Sequence, residues 1–156
     1  FGSKLKYILD GGKSKIGIES TIINLIDNPT LLRYGGLEIN KIEKFLNKKI
    51  SININSKKKI SPGLFPIHYS PGVPLRINVK KPTNDEAYVL IKKKNFFSKN
   101  FYYLTRRKNL KEAAKNLYSV LRKIKRDGYK KIAIEKIPNI GLGKTINDRI
   151  IRASKF

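Results

Sequence analysis

Three short stretches combine residue types that could do chemistry. Glu19-Ser20-Thr21 interrupts an otherwise apolar run from Ile16 to Ile26. Successive side chains on a strand point to opposite faces, so these three cannot all enter one core. A small hydroxyl between a carboxylate and a second hydroxyl can line a polar cleft, donating and accepting hydrogen bonds to a ligand. The competing reading is that both hydroxyls bond to neighbouring backbone. Arg33 is the sole arginine of the first 75 residues, ends an apolar run and stands just before Gly35-Gly36. A guanidinium fork placed this way suits a carboxylate or a phosphate. An internal ion pair with one of the few acids is the alternative. His68-Tyr69 contains the chain's one histidine and lies among prolines. The pair could pack as core or surface, or close over a ligand as a lid.

A fourth pattern points away from chemistry. Gly141-Leu142-Gly143-Lys144-Thr145 follows a strand-like run and opens a helix, as a phosphate-binding loop would. The full motif needs a glycine five residues before Gly143, and Pro138 stands there. Proline offers no N–H to a phosphate, so these glycines are expected to make a tight strand-to-helix turn. The absence of cysteine excludes disulfides, thiolate metal sites and a cysteine nucleophile. With one histidine, a multi-histidine metal site is impossible, and no metal ligand set is expected. No Ser-His-Asp ordering stands out, and Asp85-Glu86 is the one close acidic pair, in a loop. No covalent catalytic residue is therefore expected.

The 156 residues carry 35 basic and 11 acidic side chains, a net charge of +24. Lysines and arginines neutralise phosphates, which suggests nucleic acid. Yet 27 of the 35 are lysine, scattered along the chain, and Lys, Ile and Asn are all specified by A/T-rich codons. Codon bias on a solvated surface accounts for the charge as readily as a polyanion does. At 40% hydrophobic residues the chain can bury a core. No apolar run reaches the roughly eighteen residues of a membrane span. The chain opens at Phe1 with no charged-then-apolar leader, so no signal peptide and a cytoplasmic location are expected.

The elements that must position these residues fall into two α/β units. In the first, strands are expected at Lys6–Leu9, along Ile16–Ile26 with a bulge at Gly17, at Leu31–Arg33 and at Ser51–Asn55. Ile39, Ile42, Phe45 and Leu46 predict an amphipathic helix over 38–47. Residues 56–74 hold four of the seven prolines and read as an extended connector, though Phe65, Ile67, His68 and Tyr69 are too apolar for a mere spacer. In the second unit, strands are expected at Leu75–Val79, Ala87–Ile91, Phe101–Leu104 and Lys131–Ile137. Asn109 and Glu112 suggest a capping box for a helix whose apolar stripe runs from Leu110 to Ile124 and stops at Asp127-Gly128. A last helix is expected over 145–153. Strand and helix alternation implies some parallel pairing.

These blocks resemble the YrdC/Sua5 family. Leu9-Asp10-Gly11-Gly12 leading to Gly17-Ile18-Glu19-Ser20-Thr21-Ile22-Ile23, and Leu32-Arg33 with Gly35-Gly36, look like the second half of a YrdC domain. Pro62-Gly63 and His68-Tyr69-Ser70-Pro71 look like the Sua5 linker. Asn116-Leu117-Tyr118, Leu121-Arg122, Gly141-Leu142-Gly143, Ile146-Asn147-Asp148-Arg149-Ile150 and Arg152-Ala153 resemble the Sua5 domain. The resemblance implies an α/β chain in three parts. Residues 1–55 would be the C-terminal part of a YrdC-like domain, 56–74 a Pro-rich linker, and 75–156 a small Rossmann-like Sua5 domain.

The function it implies is nucleotidyl transfer: L-threonine, bicarbonate (or CO2) and ATP give L-threonylcarbamoyladenylate and pyrophosphate. The product would pass to the machinery that makes t6A in tRNA. Ser20 would then contact threonine, and Arg33, His68 and Tyr69 the nucleotide, with His68 or Tyr69 covering the site. Mg2+ is expected with ATP. Departures from the family pattern are Tyr34 for proline, Leu64 for the linker methionine and Ile67 for a basic residue. The family's Lys-Arg and Ser-x-Asn motifs belong to the first half of the YrdC domain, which this chain does not contain. A C-terminal portion, inactive alone, is the expectation. The alternative is a basic RNA-binding protein without synthase activity.

Overall fold

The computed structural model describes residues 2–12, 14–26, 28–54 and 69–155. Its regular elements build two sheets. The first is three-stranded, in the order β1 (Ile22–Asn24), β2 (Thr30–Arg33), β3 (Ser51–Ile52). β1 runs antiparallel to β2, and β3 parallel to it, with helix α1 (Ile39–Leu46) as the crossover. Ile39 from α1 packs with Leu31 and Ile50 into a small core. Asn47, in the left-handed conformation at φ 47°, ends the helix by returning its N–H to Glu43.

The expected β-branched strand forms only over Ile22–Asn24, and the irregularity expected at Gly17 lies instead between Ile22 and Ile23. There Ile22 faces Arg33 while Ile23 faces Leu31, a bulge that twists the pair beside the arginine. Residues 6–9 do not pair as a strand, and Tyr7, Ile8 and Leu9 lie on the surface. Apolar β-formers signal a strand only where a partner edge meets them, and no described edge does so here.

The second sheet is wholly parallel, in the order β4 (Leu75–Arg76), β7 (Ile132–Ile134), β5 (Ala87–Lys92), β6 (Phe101–Thr105). β5 is buried on both faces along almost its whole length, as an interior parallel strand should be. β4 is shorter than its apolar run suggested because Asn78 turns left-handed at φ 57°; Val79 then resumes pairing through its N–H to Ile134. Helix α2 (Leu110–Arg126) and helix α3 (Leu142–Ala153) cover one face. The expected stripe of α2 is buried at Ala113, Ala114, Leu117, Leu121 and Ile124. Its cap is half of a capping box: Asn109 accepts from the Lys111 and Glu112 N–H groups, while Glu112 reaches the Arg106 N–H. α3 starts three residues before the expected Thr145.

Of the expected connector, residues 56–68 lie outside the described residues, and His68 with them. Tyr69 to Val73 carry no regular structure.

Candidate functional site

Ser20 and Arg33 come together. β2 delivers Arg33 to the end of the first sheet, where its Nη2 donates to Ser20 Oγ at 3.1 Å and its Nε to the Ser20 carbonyl at 3.1 Å. The pairing of a hydroxyl with a guanidinium thirteen residues away depends on Gly35. A Cβ at Gly35 would lie 2.1 Å from the Ser20 carbonyl carbon and the Thr21 nitrogen, so only glycine lets the two segments approach this closely. Gly36 ties them further, donating its N–H to the Glu19 carbonyl at 2.8 Å. Thr21 is spent on structure, its hydroxyl donating to the Leu37 carbonyl at 2.5 Å.

Tyr69 joins this neighbourhood from the chain that enters the second unit. Its ring stacks on Tyr118 of α2, with centroids 5.7 Å apart, and the Arg149 guanidinium lies 4.7 Å from its centroid. Its φ is +66°, a left-handed conformation unusual for an aromatic residue. Burial raises the pKa of its hydroxyl above the ordinary tyrosine value. That hydroxyl hydrogen-bonds to the Glu19 carboxylate and feels the Arg33 charge. Glu19, Ser20, Arg33 and Tyr69 thus form one electrostatic neighbourhood.

The residue at its centre was not among the expected site residues. Arg149 of α3 is 1% exposed, and it donates from Nε to Glu19 at 3.1 Å and from Nη2 to the Tyr34 carbonyl at 2.7 Å. It also pairs with Asp148, which in turn accepts from Arg152 Nε at 3.0 Å. Arg152 donates to the Ile54 carbonyl at 2.9 Å. Burial alone would depress the Arg149 pKa, but Glu19, the tyrosines and Asp148 outweigh it and push the pKa up. Burial likewise favours a protonated Glu19. Its own backbone N–H, the Arg149 charge and the Tyr69 hydroxyl more than offset that, so Glu19 ionises below the usual carboxylate range. The signal available in the sequence was the cluster of charged residues Asp148, Arg149 and Arg152 in the last helix, within the block that carried the family resemblance.

The glycine-rich turn before α3 is a packing device. A Cβ at Gly143 would fall 1.9 Å from the Pro138 carbonyl oxygen. The Thr145 hydroxyl, which would face a metal in a phosphate loop, instead donates to the buried Gly35 carbonyl at 2.9 Å. The site residues and α3 are therefore tied by three successive residues on the first side: Arg33 to Ser20, Tyr34 to Arg149, Gly35 to Thr145. Beside them a cleft of about 550 Å³ opens between Gly17, Ile18 and Glu19 on one wall and Lys115, Tyr118 and Arg122 of α2 on the other. Ser20 and Arg33 do not line it. Among the described residues no three acidic or histidine side chains converge as a metal site would require.

Residues 37–155 match the family model Sua5_C, described as the C-terminal domain of threonylcarbamoyl-AMP synthase. The chain belongs to this family. Relatives extend the match over the rest of the chain. It is 30% identical to the threonylcarbamoyl-AMP synthase of Pyrococcus abyssi, over all of this chain and 51% of that protein. It is 29% identical to the synthase of Bacillus subtilis, over 97% of this chain and 49% of that one. A crystal structure of P. abyssi Sua5 complexed with L-threonine superimposes with a TM-score of 0.82 at 29% identity, covering 99% of this chain and 51% of the other. A variant of the same protein, with an adjacent histidine and tyrosine both replaced by alanine, gives 0.71 at 25% identity over 92% of this chain and 47% of that one. The Sua5_C chain described here spans about half the length of the curated relatives it matches.

Proposed function

We propose that this chain is the C-terminal portion of a threonylcarbamoyl-AMP synthase, with the three-part division at 1–55, 56–74 and 75–156. The whole protein would convert L-threonine, bicarbonate or CO2, and ATP into L-threonylcarbamoyladenylate in the cytoplasm. A new oxygen–phosphorus bond forms at the α-phosphate as the bond to pyrophosphate breaks, and the product goes on to tRNA t6A synthesis. The observation that carries this reading is the direct Ser20–Arg33 contact, in a chain that superimposes on a Sua5 complexed with L-threonine. In the proposed roles Ser20 holds threonine, Arg33 bridges toward the nucleotide phosphates, and His68 and Tyr69 reach from the linker to cover the nucleotide. A hydroxyl for a small polar amino acid beside a cation for a phosphate would place the two reacting ends next to one another.

Mg2+ would come with the triphosphate. Glu19, the carboxylate adjacent to Ser20, is committed to Arg149, so it does not supply a metal ligand. Tyr69, oriented by Tyr118 and Arg149, would shield a water-labile acyl phosphate. The comparisons lend no support to an RNA-binding protein without synthase activity.

The test is pyrophosphate release from the protein carried upstream to a full YrdC domain, with this 156-residue chain as control. Release that requires both threonine and bicarbonate, in the longer protein alone, is expected. Ser20→Ala should raise the threonine Kd about tenfold, and Arg33→Ala the ATP Kd by about tenfold or more, as for lost neutral and charge-assisted hydrogen bonds. Both variants should keep the wild-type melting temperature within a few degrees. Release that ignores both co-substrates would overturn the proposal, and equal unfolding of the two variants would return Ser20 and Arg33 to a structural role.

A further inference from the structure

α3 carries two buried arginines, and the carboxylates that balance them come from different parts of the chain. Asp148, on the same helix, is shared: one oxygen pairs with Arg149 and the other accepts from Arg152 Nε. Glu19 supplies the second negative charge, its Oε2 lying 3.1 Å from both Nε and Nη2 of Arg149. Tyr118 and Tyr69 add hydrogen bonds from neutral hydroxyls to the same carboxylate. Among the described residues the cluster is therefore neutral, two guanidinium groups against two carboxylates. Charges are tolerated at this depth only when they are matched.

The members of the cluster are not equally enclosed. The Arg149 side chain is wholly buried, whereas that of Glu19 is 34% exposed and lines the cleft of about 550 Å³. The Glu19 backbone runs directly into Ser20, on which the Arg33 guanidinium rests. The Tyr69 hydroxyl feels the charges of both Glu19 and Arg33, so the carboxylate and the second guanidinium act on one neighbourhood. Without Arg149 the cluster would hold one surplus negative charge. Asp148 would keep Arg152, so the surplus would fall on Glu19. There it would draw on Arg33 and repel a triphosphate, the most anionic ligand of the reaction. We infer that Arg149 is a positioning residue of the synthase site: it neutralises Glu19 from the buried side, so that the Ser20–Arg33 pair presents its positive charge to phosphate. The inference rests on the synthase reading only in that Arg33 faces a nucleotide. Through this contact the C-terminal helix contributes to ATP binding without touching the nucleotide. An arginine that merely joined the two units would be indifferent to the charge at position 19, and that difference is measurable.

The test uses the protein carried upstream to a full YrdC domain, with ATP affinity by titration calorimetry and pyrophosphate release as separate readouts. Each variant is checked for native circular dichroism and assayed well below its melting temperature. Arg149→Met should weaken ATP binding about tenfold through the unscreened charge, and threonine, a zwitterion without net charge, by less than about threefold. Adding Glu19→Gln to Arg149→Met should bring the ATP Kd back to within about twofold of wild type, because no carboxylate remains to be screened. Arg149→Lys, which keeps the charge but not the fork, should stay within about threefold. Arg152→Met breaks the same cluster at Asp148 and lowers stability, yet should leave the ATP Kd within about twofold. The inference is overturned if Arg149→Met binds ATP like the wild type, or if the double variant or Arg149→Lys stays as weak as Arg149→Met. An equal loss from Arg152→Met would overturn it too, because the cluster would then act on ATP only through stability. Should Arg149→Met not fold, Glu19→Gln alone decides: ATP binding at least as tight as wild type supports the inference, and a loss of about tenfold overturns it. Wild-type pyrophosphate release that ignores threonine and bicarbonate would sink the synthase reading, while the ATP affinities would still judge Arg149. A wild-type protein that bound no ATP would overturn both.

Discussion

Glu19 is the neighbour of Ser20 in sequence and the partner of Arg149 in space. A change in α3 is therefore felt one residue from a proposed substrate contact. Arg149→Met removes the guanidinium but keeps much of the volume, leaving Glu19, Asp148 and the Tyr34 carbonyl without it. Breaking one side of a buried charge cluster in this way costs about 3–5 kcal/mol, so the melting temperature should fall by several degrees or more in calorimetry. A drop within experimental error would show that water takes over those contacts. At this scale the sequence was partly legible. A lone arginine before two glycines and a hydroxyl inside an apolar run are anomalies of local composition, and the structure brings them into contact. Arg149 is invisible to such reasoning because charged helical residues are usually solvated and Glu19, the carboxylate it reaches across the seam, lies 130 positions away. The same applies to Tyr69, left-handed at φ +66°, whose ring meets Tyr118 of α2 and Arg149 of α3, both distant in sequence.

Helices were more legible than strands. The stripe and cap of α2 carry local information enough to place both ends, because a helix makes its own hydrogen bonds. A strand borrows its bonds from another segment. That is why the run from Ile16 to Thr21 reads as a strand yet is spent on ties to Gly36 and α3, and why residues 6–9 form none. The turn between β4 and β5 supplies a prediction of its own. Arg76 on β4 binds Glu86 bidentately, at 2.7 and 2.8 Å, and Glu86 is almost wholly buried. The Arg76 hydrogen bonds hold the Glu86 carboxyl down at about 2, from an ordinary value of 4.5. A depressed carboxyl pKa contributes its full stabilisation above about pH 4.5, and that contribution is lost as pH falls toward 2. Arg76→Gln should therefore move the midpoint of acid unfolding upward, with little change in stability at pH 7 beyond the lost pair. Circular dichroism across pH 2–6 checks it: a midpoint that does not move would mean the Thr83 N–H alone sustains the shift.

Across the whole molecule, the two sheets have separate cores but share a seam made of charge and backbone. The first core is small, with Leu31, Ile39 and Ile50 as its buried members, whereas the second contains most of the buried apolar side chains of α2, α3 and the parallel sheet. A core of that size is marginal by itself. The first unit should therefore depend on α3, and urea unfolding followed by circular dichroism and by tyrosine fluorescence should give one coincident transition. Two resolved transitions would show that the seam contributes little. Composition suggested two α/β units and a proline-rich stretch between them. It could not suggest the seam, because neither hydrophobic period nor charge count records contacts between distant segments.

The seam also divides the burden of heredity unevenly. Arg149, Thr145 and Arg152 reach across it with their side chains, but what they grasp on the far side is largely main chain: the carbonyls of Tyr34, Gly35 and Ile54. A carbonyl is supplied by any residue. Tyr34 and Ile54 are thus free to vary so far as this grip is concerned. The helix has no such freedom, and Gly35 is bound by its own crowding against Ser20. Two halves of one junction would then diverge at different speeds, with the C-terminal helix preserving a fit that the facing loop is permitted to forget.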